Sequence, residues 1–156
     1  MEPSPLAKML QLAQITRDHV VLEIGCGSGY TAALLSLLAG SVVAVESDST
    51  LVDSASETLS EGGYDNVAVV TGELEKGYAA EGPYDLIFLN GAVETVPPAL
   101  FDQLREGGRL VAPVGLGLAA QAHLFVKDGG VVSSRPAFNL SVKPLPGFRK
   151  VEEFVF

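Results

Sequence analysis

Residues 23–35 read EIGCGSGYTAALL, and this stretch decides the fold. Before it lies the short apolar run His19-Val-Val-Leu-Glu-Ile24, rich in β-branched residues; after it the chain stays apolar as far as Ala39. A buried strand, three glycines at alternate positions and then a helix make a ligand-binding turn at the carboxyl end of a first strand. Gly25 and Gly27 permit a tight turn and close backbone approach to a ligand, because no Cβ intervenes. Gly29 is expected to let the following helix pack near the strand, and that helix offers unpaired N–H groups.

Working outward, strand and helix alternate. A leading helix is expected over Pro5 to Ala13, and a helix over Ser28 to Ala39 with Gly40 as its C-cap. Ser41 to Val45 is a second strand closing on Glu46, and Ser49 to Glu61 a helix stopped by Gly62-Gly63. Asn66–Val70 and Tyr84–Leu89 are the third and fourth strands, Pro97 to Leu104 a helix, Gly108 to Ala112 a fifth strand. These strands are apolar on both faces, as in a parallel sheet covered by helices. His123–Lys127, the turn Asp128-Gly129-Gly130 and Val131 onward then read as an antiparallel hairpin. The fold class is therefore α/β, a Rossmann-like, doubly wound, mostly parallel sheet ending in an antiparallel hairpin. It forms one domain over 1–156, with a leading helix in 1–15 and an irregular tail over 139–156; Pro144 to Phe156 remains unassigned.

Two ligand classes compete for the turn. A nicotinamide dinucleotide asks for G-x-G-x-x-G, which needs glycine at position 30, where this chain has Tyr30. Glu46, ending the second strand, suits ribose hydroxyls in either class. Glu23, two residues before the first glycine, would crowd a pyrophosphate but suits a ligand carrying an ammonium and a sulfonium. E-x-G-x-G-x-G with an acid after the second strand favours S-adenosyl-L-methionine.

Composition narrows the partners. A net charge of −9 with scattered Lys and Arg disfavours nucleic acid and favours a protein or peptide, or a small molecule. The single cysteine, Cys26, forms no internal disulfide, so a reducing cytoplasm fits. No apolar run reaches the ~18 residues of a membrane span, and no leader is seen. No spaced Cys/His set suggests a metal.

Five stretches resemble a known family in order and spacing: VLEIGCGSGYTAALL (21–35), VVAVESD (42–48), GYDNVAVVTGELEKGY (63–78), GPYDLIFLNGAVETVPPAL (82–100) and EGGRLVAPVG (106–115). The chain is similar over about residues 3–135 to protein-L-isoaspartate O-methyltransferases, within the class I S-adenosylmethionine-dependent methyltransferases. The resemblance implies that Glu23, Gly25, Gly27 and Gly29 frame the methionine end of the cofactor, in a loop that also contains Cys26 and Tyr30. It implies that Glu46 binds the ribose and that Ser47 sits beside the adenine. Gly72-Glu73-Leu74 matches a Gly-Asp pair whose acid faces the adenine amino group. Asn90 would lie beside the methyl group, as both cofactor-binding and catalytic residue.

One departure matters. The family carries a further N-terminal segment with a Ser or Thr on the acceptor side, and that hydroxyl falls at or before Met1; Ser4 is out of register. The implied activity is methyl transfer to a carboxylate of a protein or peptide, or of a small molecule, by a monomer or homodimer. The alternative is a non-catalytic, cofactor-binding or interaction module. A carboxylate acceptor needs no general base, and His19 and His123 read as structural.

Overall fold

The computed structural model describes residues 1–148. Seven strands form one sheet in the order β3-β2-β1-β4-β5-β6-β7. They are β1 (Val20–Ile24), β2 (Ser41–Glu46), β3 (Val67–Thr71), β4 (Tyr84–Leu89), β5 (Leu104–Val114), β6 (Gln121–Asp128) and β7 (Val131–Asn139). The helices are α1 (Pro3–Ala13), α2 (Tyr30–Leu38), α3 (Ser49–Glu61) and α4 (Pro98–Phe101). Strands β1 to β5 pair in parallel, and β6 and β7 are antiparallel. The expected fold class is the observed one.

The two-residue alternation of the strands builds two cores. Val21, Leu86, Phe88 and Val111 face Leu6 and Met9 of α1 and Leu35 of α2. Leu22, Ile24, Ile87 and Leu89 face the other way, onto Leu74, Leu100, Leu145 and Phe148. Each fully buried side chain of this size contributes about 1.5–3 kcal/mol, so the central strands hold the sheet. Strand order reverses between β1 and β4, which pair on one side of Glu23 while β2 lies on the other. The crevice at that switch point is where such sheets bind ligands.

Local chemistry explains most boundaries. Asp48 caps α3 by accepting from the Thr50 and Leu51 N–H groups, which starts the helix at Ser49 as expected. Gly129 and Gly130 both hold positive φ, the requirement of a two-residue hairpin turn. Two expectations are corrected. The helix expected to reach Leu104 ends at Phe101. The Gln103 side chain bonds the Ala99 and Lys76 carbonyls, its backbone carbonyl accepts from Tyr84 N–H, and buried Leu104 already pairs with Tyr84 as the start of β5. Gly40 is not a left-handed C-cap: a Cβ there would meet the Arg17 carbonyl at 2.6 Å, so it serves a close chain crossing. Residues 149–156 of the unassigned tail lie outside the described residues. Among the described residues no helix is long and apolar enough to cross a membrane.

Candidate functional site

The glycine loop is tied to the end of β2 before any ligand is considered. Gly25 N–H donates to the Val45 carbonyl at 2.9 Å, and Gly27 N–H to Glu46 Oε1 at 3.0 Å. Glu46 Oε2 accepts from the Ser47 and Asp48 N–H groups at 2.8 and 3.1 Å. The Glu46 carboxylate is thus 6% exposed and held by three backbone donors, with lone pairs to spare for a diol. Gly72 N–H reaches the Glu46 carbonyl at 3.1 Å, which brings the end of β3 to the same rim.

Gly29 has a different neighbour from the one expected. A Cβ there would touch Ala55 and Leu59 at 3.4 Å, so this glycine, at φ +93°, fits the loop against α3 rather than the strand. Tyr30 opens α2 with an exposed ring, and Ser47 is exposed. Glu73 lies on the surface, where its carboxylate pairs with Lys76 at 2.7 Å and is held below its usual range by that bond. Leu74 belongs to the core beneath. Cys26 is buried, and desolvation, then the nearby Glu23 and Glu46, push its thiol up to about 12. Such a thiol is a small apolar filler.

Glu23 and Asn90 carry the polar interest. Glu23 is wholly buried, and neither carboxylate oxygen has a hydrogen-bond partner. Burial, then the negative charge of Glu46, push its pKa up to about 8. Asn90 follows β4, and its N–H donates to the Ile24 carbonyl at 3.0 Å. Its Nδ2 donates to Thr31 Oγ1 at 3.3 Å, while Oδ1 is buried without a partner. Among the described residues these three oxygens are the only buried side-chain polar atoms left unsatisfied. Each costs about 1–3 kcal/mol in that state, so a group of acceptors at a switch point marks a place for a donor-bearing ligand.

A cleft of about 410 Å³ opens beside Asn90 and Gly91, bounded by Glu2, Ser141, Val142 and Lys143. Its wall is a strap that sequence reasoning missed. Ala92 N–H donates to the Lys143 carbonyl and Leu145 N–H to the Ala92 carbonyl, both at 2.9 Å. Leu145 lies so close that a Cβ at Gly25 or Gly91 would come within 2.6 or 2.7 Å of it. The two prolines around Leu145 were a signal of rigid chain, with no sign of where it docks. Thr31 was also missed, although a hydroxyl in the first turn of a mostly apolar helix, just past the glycine loop, is visible in the sequence. His19 sits at the opposite end of β1, and His123 stacks near Phe125 on β6 at 6.0 Å between centroids. Among the described residues no three His, Cys, Asp or Glu side chains gather as a metal site.

Comparison with known proteins identifies a family for the chain. Residues 1–145 match the family model described as protein-L-isoaspartate(D-aspartate) O-methyltransferase. A protein-L-isoaspartate O-methyltransferase of Koribacter versatilis is 46% identical over 114 residues, 73% of this chain and 51% of that protein. A Polaromonas relative, protein-L-isoaspartate O-methyltransferase 2, is 39% identical over 150 residues, 95% of this chain and 71% of its own length. A solved protein-L-isoaspartate O-methyltransferase superposes with a TM-score of 0.85 at 32% identity, covering 93% of this chain and 47% of that one. A Plasmodium falciparum structure of like description, in complex with S-adenosyl-L-homocysteine, shares the fold at 20% identity and TM-score 0.76, over 92% of this chain and 73% of its own. The chain thus spans from about half to about seven-tenths of the length of these relatives. With a family match across 145 residues and the motifs standing where the sheet needs them, the chain belongs to the protein-L-isoaspartate(D-aspartate) O-methyltransferase family.

Proposed function

We propose that the chain binds S-adenosyl-L-methionine at the carboxyl ends of β1 and β2 and methylates a carboxylate held in the cleft beside Asn90. The observation that carries this reading is the trio of orphaned acceptors, Glu23 Oε1 and Oε2 and Asn90 Oδ1. An ammonium-bearing ligand draws the proton off Glu23 and is held by the carboxylate, whereas the trio offers no cation to a pyrophosphate, which sets the nicotinamide reading aside. Glu23 takes the amino group, the Gly25–Gly29 loop approaches the methionine chain, and Glu46 accepts from the ribose hydroxyls. Ser47, Gly72 and the Glu73-Leu74 backbone border the adenine, with Cys26 and Tyr30 completing the loop.

S-adenosylmethionine supplies an electrophilic methyl group on a sulfonium. The chain's own residues align an acceptor and keep water out. A carboxylate is already a nucleophile at neutral pH, and holding it in place is worth about 7 kcal/mol or more in ideal cases. Lys143, at the cleft and without an ion-pair partner among the described residues, draws a carboxylate in. Val142 and Leu145 provide the apolar wall, and Asn90 orients the reacting groups. An isoaspartyl side chain in a protein or peptide is the acceptor that the relatives' descriptions support, and protein repair is the role proposed for it. A monomer or homodimer in a reducing cytoplasm, acting on neither nucleic acid nor membrane, completes the reading.

The test is calorimetric titration with S-adenosylhomocysteine followed by methyl transfer to an isoaspartyl peptide. Expected are saturable binding, weakened in Glu23→Gln, and transfer lost in Asn90→Ala. Folded protein that fails to bind S-adenosylhomocysteine ends the proposal. Binding with no transfer to any carboxylate leaves a cofactor-binding module.

A further inference from the structure

Three cations far apart in the sequence, Lys8, Arg109 and Arg135, meet in one groove of about 320 Å³. It runs between α1 and the β5-β6-β7 part of the sheet, with Gln11, Gln14 and Phe138 as its other main walls. Arg109 Nη1 donates to Gln14 Oε1 at 2.6 Å, which aims the guanidinium and leaves its other donors free. The Lys8 ammonium lies 5.8 Å from the Phe138 ring centroid. None of the three pairs with a carboxylate among the described residues, and no Asp or Glu lines the groove. A chain of net charge −9 therefore brings three of its ten basic residues together without neutralising them. Like charges gathered this way repel each other unless an anion joins them.

The groove and the cleft beside Asn90 both border the segment that begins at Met1 and runs through α1. Helix α1 starts at that cleft, next to Glu2, and reaches the groove at Lys8 and Gln11. At 1.5 Å per residue, Lys8 stands about 9 Å and Gln11 about 14 Å along the helix from Glu2. β7 carries Arg135 and Phe138 on the groove, and the chain that follows it reaches the cleft at Ser141. An extended peptide covers the same span in about three to five residues.

We propose that the groove docks an acidic stretch of the peptide being methylated, about three to five residues from the reacting carboxylate. The destination rests on the methyl-transfer reading above; the anion-binding surface does not. A short acidic peptide fits better than a nucleic acid, because the remaining surface is net negative and repels a longer polyanion.

The experiment compares two isoaspartyl peptides, identical except for three Glu or three Gln at those positions, with the wild-type chain and with Lys8→Glu/Arg135→Glu. Both substituted residues are exposed and lie outside the methylating cleft. Expected is about a tenfold advantage in kcat/KM for the acidic peptide, expressed in KM, shrinking with salt and lost in the double variant. The neutral peptide is methylated equally by both proteins. In parallel, fluorescence anisotropy follows labelled Glu and Gln peptides that carry no isoaspartate. Tighter binding of the Glu peptide to wild type, lost in the double variant, supports the groove even if neither substrate is methylated, and the methyl-transfer reading alone then falls. Equal KM values together with equal anisotropy overturn the groove. So does an oligonucleotide of matched charge that binds more tightly than the acidic peptide.

Discussion

Asn90 and Thr31, 59 positions apart, share a hydrogen bond of 3.3 Å that links the end of β4 to the first turn of α2. The bond takes one of the two N–H donors of the amide and leaves its oxygen as a buried, unsatisfied acceptor. One helix residue therefore sets which end of the Asn90 amide a ligand meets.

Thr31→Val is isosteric and removes only that bond. It is expected to cost about 1 kcal/mol in positioning, a fall in kcat of about fivefold, with little change in S-adenosylhomocysteine affinity. A double-mutant cycle with Asn90→Ala, read in urea unfolding because that variant is expected to be inactive, measures the coupling; additive effects at the two sites would mean that Thr31 acts independently.

Glu23 makes stability depend on pH with an unusual sign. Burial, then Glu46, raise its pKa from 4.5 to about 8 in the folded state. Between those values the folded protein keeps a proton that the unfolded chain has released. The stabilising contribution is complete below pH 4.5 and is lost as pH rises toward 8, at up to about 1.4 kcal/mol per unit. Glu23→Gln is expected to flatten that slope and to raise Tm at pH 8. S-adenosylhomocysteine affinity should increase with pH over the same window in wild type only. Thermal melts and titrations from pH 5 to about 9 decide the matter, and parallel slopes for the two proteins would refute it.

Gly25 combines φ +84° with a Leu145 methyl 2.6 Å from where a Cβ would stand. Gly25→Ala should destabilise by about 1–3 kcal/mol in urea unfolding, from backbone strain and from the clash. Leu145→Ala in the same chain should return the clash part only. Full recovery would show that backbone strain contributes nothing.

The Cys26 thiol, 2% exposed with its pKa pushed up to about 12, should resist alkylation in the native protein at pH 8 and react fully once unfolded. Mass spectrometry after iodoacetamide reads this directly. Rapid labelling without denaturant would contradict the buried placement.

Much of this architecture was legible in the chain. The limits of α3 follow from Asp48 as cap and Gly62-Gly63 as stop, and β4 stands out as an apolar run between polar turns. Glycine spacing, with Tyr30 where a dinucleotide loop needs glycine and Glu23 at its edge, indicated the ligand class. Such features depend on neighbours a few positions away, which a sequence records.

Helix α4 stopped short of expectation because Gln103 and Leu104 answer to Tyr84, Tyr78 and Lys76, a demand with no local sign. For the same reason Gly29 was matched to the strand when its partner is α3.

By itself the sequence determined the alternating parallel sheet, the glycine loop at its switch point and the acids at the ends of β1 and β2. Periodicity and turn chemistry are local, and they suffice for these. The tertiary structure alone decided that Glu23 is buried with no partner, that Leu145 closes against Gly25, and that Lys8, Arg109 and Arg135 share a groove. Burial, close approach and summed charge arise only when distant segments occupy one volume, and no spacing along the chain encodes that meeting.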